Sequence, residues 1–537
     1  MKKAALTGIF LLWNGWLFAQ ETAKQGLADR IEKAFKPISD WWAHYVFYPI
    51  PIGGGLEVPI VLLLLVLGAL YFTIYFGVPQ FKLFKTALRV VAGKYDDIDE
   101  HDSFKPADDP LVEPGEDIPE TIKVEGEHHG EVSHFQALSA ALSATVGLGN
   151  IAGVAVAIAV GGPGATFWMI IGGLLGMASK FTECTLGVKY RDIGPDGTVY
   201  GGPMYYLKKG LAGLSNHPWS KYLGQFLAAF FALMVVGGSF GGGNMFQANQ
   251  STAQFIKLMG FQNNDAKVWF GLFLALMVGI VIIGGIKRIG KVAEKIVPFM
   301  AILYVGAAIV ILVMNYDVVP HAFGLIFREA FTPRAGLGGF LGVLIMGFRR
   351  AAFSNEAGVG SAAIAHSAVK TKFPASEGIV ALLEPFIDTV VICTMTALVL
   401  IITNEKYGLF EYGKEVQGVE LTSQAFDTVL PHFSVILTIA VILFAFSTML
   451  SWSYYGLQGW KFLFGRSKAS DLTYKVLFLF FVVVGASVKL GSVLDFSDAM
   501  IFAMVFPNII GVVLLAPQVR GELKRYLDAI RKKEKGK

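Results

Sequence analysis

The chain has 537 residues, 54% of them hydrophobic and only 16% charged, against about 25% charged in an ordinary soluble protein. A net charge of +4 is too small over this length to imply a nucleic-acid partner, and the two cysteines, Cys184 and Cys393, sit in apolar runs with no disulfide or zinc spacing. With a mean hydropathy of +0.56 and 61 glycines, which suit close helix packing in lipid, the composition describes an all-α integral membrane protein.

At the start, Lys2 and Lys3 precede an apolar stretch from Ala4 to Phe18, and a polar run follows Ala19 and Gln20. Residues 1–20 therefore read as a secretory signal peptide, which places the next segment, 21–55, in the periplasm. There Lys24, Arg30, Lys33 and Lys36 interleave with Glu21, Asp29, Glu32 and Asp40, as on an amphipathic surface helix. Apolar segments of spanning length, about 20 residues each, follow at 56–78, 134–160, 165–190, 222–247, 268–286, 296–316, 338–364, 378–403, 433–457, 474–488 and 496–517, which makes eleven. The first is an extra helix, separated from the rest by a linker, 79–133. From 94 to 131 this linker is acidic and rich in Pro and Gly, and its His101, His128 and His129 read as solvated residues rather than metal ligands. Membrane-proximal Lys and Arg crowd one side, among them Lys82, Lys85, Arg89, Lys208, Lys209, Lys287, Arg288, Lys370, Lys372 and the basic tail 518–537. The positive-inside rule makes that side cytoplasmic.

An internal repeat organises the core. Ser143-Ala-Thr-Val-Gly147-Leu-Gly149-Asn150 and Ser354-Asn355-Glu356-Ala-Gly358-Val-Gly360-Ser361 coincide at Ser, Gly and Gly with an offset of 211, and a polar residue follows the second Gly each time. Five spans separate the copies, so the second is inverted. The core then divides into 134–317 and 318–517, two inverted five-helix repeats. Each begins with a Gly-interrupted helix, the pattern of alternating-access transporters. Unwound backbone at membrane depth is tolerated only where it lines a cavity. Its freed N–H groups suit a carboxylate and its freed C=O groups a cation.

Other polar groups lie in the spans. Gln247, after Gly241-Gly-Gly-Asn244, reads equally as a substrate ligand or as helix–helix glue. Ser447 and Thr448 are paired hydroxyls facing a broken helix, with Trp452 one turn on. Intramembrane charges tend to be functional or paired. Arg349, Arg350 and Glu356 flank the second Gly break, and Glu384 and Asp388 lie one turn apart on the next helix, with the pairing left open by spacing alone. Glu356 reads as a cation or proton ligand or as a lock on Arg349 or Arg350. Lys180 and Glu183 read as an intrahelical pair. The spans carry no His-Glu-x-x-His, no Gly-x-Ser-x-Gly and no catalytic carboxylate pair, so no enzyme is expected.

The stretches Ala144-Thr-Val-Gly-Leu-Gly-Asn-Ile-Ala152, Gly161-Gly-Pro-Gly-Ala-Thr-Phe-Trp-Met169, Gly201-Gly-Pro-Met-Tyr-Tyr206 and Phe353-Ser-Asn-Glu-Ala-Gly-Val-Gly-Ser361 together resemble the alanine or glycine:cation symporters of the amino-acid–polyamine–cation superfamily. The likeness extends from about 136 to 518. Thr166 and Ile170 depart from the family's pattern. The resemblance implies a fold like that of the sodium-dependent leucine transporter, 5+5 with one added N-terminal helix. It also implies sodium-coupled symport of a small neutral amino acid, alanine or glycine, across a bacterial inner membrane, with no cofactor beyond the co-transported sodium. By matching position, the backbone from Thr145 through Gly147 to Gly149, beside Asn150, and that of Gly358 and Gly360 would cradle the substrate, with Gln247, Ser354, Asn355 and Trp452 completing the pocket. Carbonyls of Ser143 and Val146 and hydroxyls of Ser447 and Thr448 would hold sodium. Arg349, Arg350, Glu356 and Asp388 are left as coupling or gating residues, and Gly201 to Tyr206 would help close the inner gate. The alternative is a proton-coupled amino-acid transporter using Glu356, Glu384 or Asp388.

Overall fold

A computed structural model describes residues 27–53, 56–100, 132–194, 198–261, 265–283, 285–332, 339–414 and 418–535. The expected signal peptide and the linker histidines lie outside the described residues. Among the described residues the protein is almost wholly helical, with two short antiparallel strand pairs, Pro49–Gly53 with Leu56–Pro59 and Asp192–Ile193 with Val199–Tyr200.

The main helices are α1 (Leu27–Val46), α2 (Ile60–Tyr75), α3 (His134–Thr145), α4 (Val154–Gly161), α5 (Gly164–Lys189), α6 (Pro218–Met259), α7 (Asp265–Ile282), α8 (Gly285–Met314), α9 (Gly339–Asn355), α10 (Ala362–His366), α11 (Pro374–Tyr407), α12 (Phe433–Phe464), α13 (Lys468–Ser487), α14 (Leu490–Ala503) and α15 (Val505–Lys535). Among the described residues, eight helical runs are long and apolar enough to cross a membrane, with α14 and α15 counted as one; α3 and α4 make a ninth if their bent pair is one span. Two of the expected eleven fall short. The 16 residues of α2 and the 17 of α9 reach about 24–26 Å, below the roughly 30 Å of a hydrocarbon core. The span expected to end at 247 instead continues through a π turn, Gly241–Met245, to Met259.

Burial separates inner helices from outer ones. The most apolar stretch of α8 is 28% buried and that of α13 33%, whereas those of α11 and α12 are each 67% buried, so α8 and α13 turn most of their surface outward. Small residues let the inner helices touch. A Cβ on Gly347 of α9 would stand 2.6 Å from the Ala165 carbonyl oxygen and 2.5 Å from Trp168 Cβ on α5. Such close approach is how helices associate where lipid removes the hydrophobic drive. The amphipathic reading of the N-terminal segment holds: α1 lies on α14. Glu32 accepts from the Lys489 N–H at 2.8 Å and the Ser492 hydroxyl at 2.6 Å, and Phe35 meets Phe496 edge-on at 5.1 Å.

Candidate functional site

The first break lies where the glycines placed it. A capping box, Ser133 with Gln136, starts α3. Val146 ends it with ψ 89°, and the chain resumes as a π turn, Gly149–Gly153, before α4. The two halves bend by 52°. The second break separates α9 from α10 through three residues in the left-handed region, Glu356 (φ 55°), Gly358 (φ 85°) and Gly360 (φ 92°). Glycine takes that conformation freely and glutamate rarely.

Asn150 joins the two breaks. Its Oδ1 accepts from the Gly147 N–H at 2.9 Å, and its Nδ2 donates to Ser354 Oγ at 3.1 Å and Asp388 Oδ1 at 2.6 Å. Ser354 Oγ and Thr389 Oγ1 donate to Asp388 Oδ2 at 2.8 and 2.7 Å. Asn355 Nδ2 donates to Thr389 Oγ1 at 2.9 Å. The Leu148 N–H is taken by Gln247 Oε1 at 3.2 Å, while Gln247 Nε2 donates to the Gly242 carbonyl at 3.0 Å. Amide side chains thus occupy the N–H groups that unwinding set free. A Cβ on Gly149 would lie 3.5 Å from Ser354 Cα, so the two repeat copies are in direct contact. Asp388 sits in a π turn of α11, Phe386–Cys393; such turns concentrate at functional sites.

The hydroxyl pair reaches the same crossing. Thr448 Oγ1 donates to the Ser143 carbonyl at 3.3 Å, Ser143 Oγ donates to the Ser447 carbonyl at 3.4 Å, and Ser451 Oγ donates to Ser143 Oγ at 3.0 Å. Ser447 Oγ turns back to Phe444 O at 3.1 Å. A Cβ on Gly147 would stand 2.5 Å from Thr448 Oγ1 and 3.4 Å from Gln247 Oε1. Val146 is buried, while the Thr145 hydroxyl bonds back to Ala141 O at 3.2 Å. Ser143, Asn150, Ser354 and Thr448 are at most 2% exposed, so the crossing is sealed from solvent in this conformation.

Other expected residues face elsewhere. A Cβ on Gly358 would point at Leu65, 3.4 Å away, and one on Gly360 at Asn508 and Pro203, each 2.8 Å away. Trp452 packs over Gly243 and its Nε1 donates to Glu356 Oε1 at 3.0 Å. Ser361 Oγ donates to the other oxygen of Glu356. Glu356 is therefore no lock on the arginines. Arg349 and Arg350 both bind Asp498 of α14, Arg349 Nε at 2.7 Å, with the Arg349 guanidinium over the Phe47 ring at 4.3 Å. Nor do Glu384 and Asp388 answer those arginines. Lys180 donates to Glu384 at 2.9 Å rather than pairing with Glu183, which accepts from Asn508 Nδ2 at 2.7 Å.

Asp498 and Asn508 escaped the sequence reading, although they are the one charge and the one amide in the last apolar span, 496–517, and a buried polar group requires a partner. Asn508 also donates to the Gly358 carbonyl at 2.9 Å and bonds Tyr206, which draws the Gly201–Tyr206 stretch against the second break. Just beyond α5, Arg191 donates to the carbonyls of Ser367, Val369 and Thr371 at 2.7, 2.5 and 3.2 Å. Burial lowers its pKa to about 10, which leaves the guanidinium charged at neutral pH.

A model of the sodium:alanine symporter family matches residues 116–537. Sodium/alanine symporter AgcS of Methanococcus maripaludis is 43% identical over 406 residues, 75% of this chain and 86% of that protein. The sodium/proton-dependent alanine carrier protein of Bacillus sp. strain PS3 is 34% identical over 413 residues, 74% of this chain and 89% of that one. Among solved structures, MhsT in complex with L-phenylalanine aligns with a TM-score of 0.46 at 17% identity, covering 74% of this chain and 99% of that one.

Proposed function

The chain belongs to the sodium:alanine symporter family and is a multi-pass membrane transporter; from this we propose that it carries a small neutral amino acid, alanine or glycine, into the cell together with sodium. The observation that carries the reading is the crossing itself. Two glycine breaks meet through Asn150 and Ser354 at 3.1 Å, and the Thr448 hydroxyl lies on the Ser143 carbonyl at their edge. The substrate carboxylate binds the Gly147 and Leu148 N–H groups, displacing the Asn150 and Gln247 oxygens that cap them in the closed state. Sodium binds among the oxygens of Ser143, Val146, Ser447 and Thr448. The crowding of Phe353 against Phe246, rings 5.3 Å apart, beside this point favours a short side chain. Core helices form two inverted five-helix repeats that alternate access, with α2 added and the basic tail in the cytoplasm.

The proton-driven alternative draws on Asp388, which stands at the crossing; Glu384 is engaged by Lys180 and Glu356 by Trp452 and Ser361. Counterflow of labelled alanine in proteoliposomes, with and without sodium and with glycine as competitor, separates the two. Dependence on sodium is expected, and Thr448→Ala should raise the half-saturating sodium concentration roughly tenfold, as loss of one ligand worth about 1.4 kcal/mol does. Uptake that ignores sodium and follows a pH gradient overturns the reading.

A further inference from the structure

Five ionisable side chains outside the crossing form one unbroken chain. His134 is the first residue of α3, His366 ends α10, Glu377 and Glu384 lie on α11 and Lys180 on α5. His134 Nδ1 contacts Glu377 Oε2, and His366 Nδ1 lies 2.5 Å from Glu377 Oε1. His366 Nε2 faces Glu384 Oε2 at 3.4 Å, and Lys180 Nζ donates to Glu384 Oε1 at 2.9 Å. His134 is 6% exposed and the other four are fully buried.

The geometry requires an extra proton. Each imidazole–carboxylate contact needs one proton between nitrogen and oxygen, because an ionised carboxylate only accepts. There are three such contacts, and two neutral imidazoles supply two protons. Lys180 serves the remaining oxygen of Glu384 with its own. Without a third imidazole proton, a lone pair of His366 would face a buried carboxylate oxygen. With it, Lys180, His366, Glu377 and Glu384 sum to zero charge; without it, a net negative charge is buried, which is costly in a membrane interior. The surrounding groups are Glu183 and Cys184 on α5 and Glu356 at the second break, which face Lys180, Asp388 on α11 and Tyr455 on α12, which face Glu384, and Arg191, which faces Glu377.

The chain ends at a mechanical joint. Val132, just before α3, pairs with the segment after α10: its N–H donates to the Ala368 carbonyl at 3.2 Å and its carbonyl accepts from the Lys370 N–H at 2.8 Å. Arg191 holds three carbonyls of that same segment. His134 thus latches the start of the first broken helix onto α11, at the one point where the chain approaches solvent.

We infer that His366, held between Glu377 and Glu384, is a proton-binding site that is loaded while α3 is latched and discharges through His134 when α3 leaves. This rests on the transport reading above, in which α3 moves. Loss of the proton weakens the latch, so alkalinity speeds opening. With sodium saturating, alanine counterflow by the wild-type protein should rise steadily between pH 7 and pH 9, by at most about tenfold per pH unit, as linkage to one proton allows. His366→Gln and Glu377→Gln should flatten that profile while leaving half-saturating sodium unchanged. A flat wild-type profile, or variants that keep its slope, overturns the inference. Should neither variant fold, ¹⁵N spectra of histidine-labelled wild-type protein decide. One imidazole should stay doubly protonated at pH 8, well above the usual value of about 6.5, and its absence refutes the site. A wild-type protein that shows no sodium-dependent transport sinks the transport reading, while the spectra still decide the proton site.

Discussion

Replacing Asn150 with Ala removes a side chain that ties the two breaks together. The contacts that go include the acceptor for the Gly147 N–H at 2.9 Å and the donors to Asp388 Oδ1 at 2.6 Å, Ser354 Oγ at 3.1 Å and the Asp388 carbonyl at 3.1 Å. All three partners are buried, and water cannot replace the amide without opening the crossing. A net hydrogen bond is worth about 0.5–1.5 kcal/mol, and an orphaned buried polar group costs about 1–3 kcal/mol. Ser354 and Asp388 keep each other as partners, so the Gly147 N–H is the main orphan, and the total comes to about 2–4 kcal/mol. At 1.36 kcal/mol per decade, that is roughly a 30- to 900-fold loss in occupancy of the assembled crossing. The melting midpoint of the substrate-free purified protein should therefore drop by several degrees, and sodium-driven alanine uptake into proteoliposomes should fall by less than this factor, because bound substrate re-pairs the Gly147 N–H. Wild-type uptake and an unchanged melting midpoint would refute the claim that Asn150 assembles the site.

Three further outcomes follow from other contacts. Arg350→Ala leaves the fully buried Asp498 with only the part-exposed Arg349, and should destabilise by about 3 kcal/mol; adding Asp498→Ala should restore part of that loss in a thermal melt. Gly243→Ala would put a Cβ 2.2–2.6 Å from the Trp452 side chain and push its Nε1 from Glu356, an overpacking cost of about 1–3 kcal/mol, seen as a lower melting midpoint and reduced maximal uptake. Glu32→Ala removes the acceptor at the start of α14, at Lys489 N–H and Ser492 Oγ, and should cost about 1 kcal/mol. Limited proteolysis should then cut α1 faster, with the sodium dependence of uptake unchanged.

Much of this protein is decided locally. Twenty-residue apolar runs have one stable form in lipid, so the long helices follow from composition. Glycines at 147, 149, 358 and 360 weaken a regular helix, so both breaks could be placed from the repeat alone, and with them Asn150 and Ser354, while the Ser447–Thr448 pair stood out as adjacent hydroxyls in an apolar span. Lengths were less legible. Helix ends depend on turns and on neighbours, so α2 and α9 came out shorter than the apolar runs suggested, while α6 continued past its glycines through a π turn. What only tertiary structure decided is the pairing of buried charge. Arg350 lies six residues from Glu356 yet binds Asp498, 148 positions on, and Lys180 passes over Glu183 for Glu384. Helical spacing says which side chains share a face of one helix. It does not say which two helices meet, and inside a membrane a charge takes its partner from the helix packed against it.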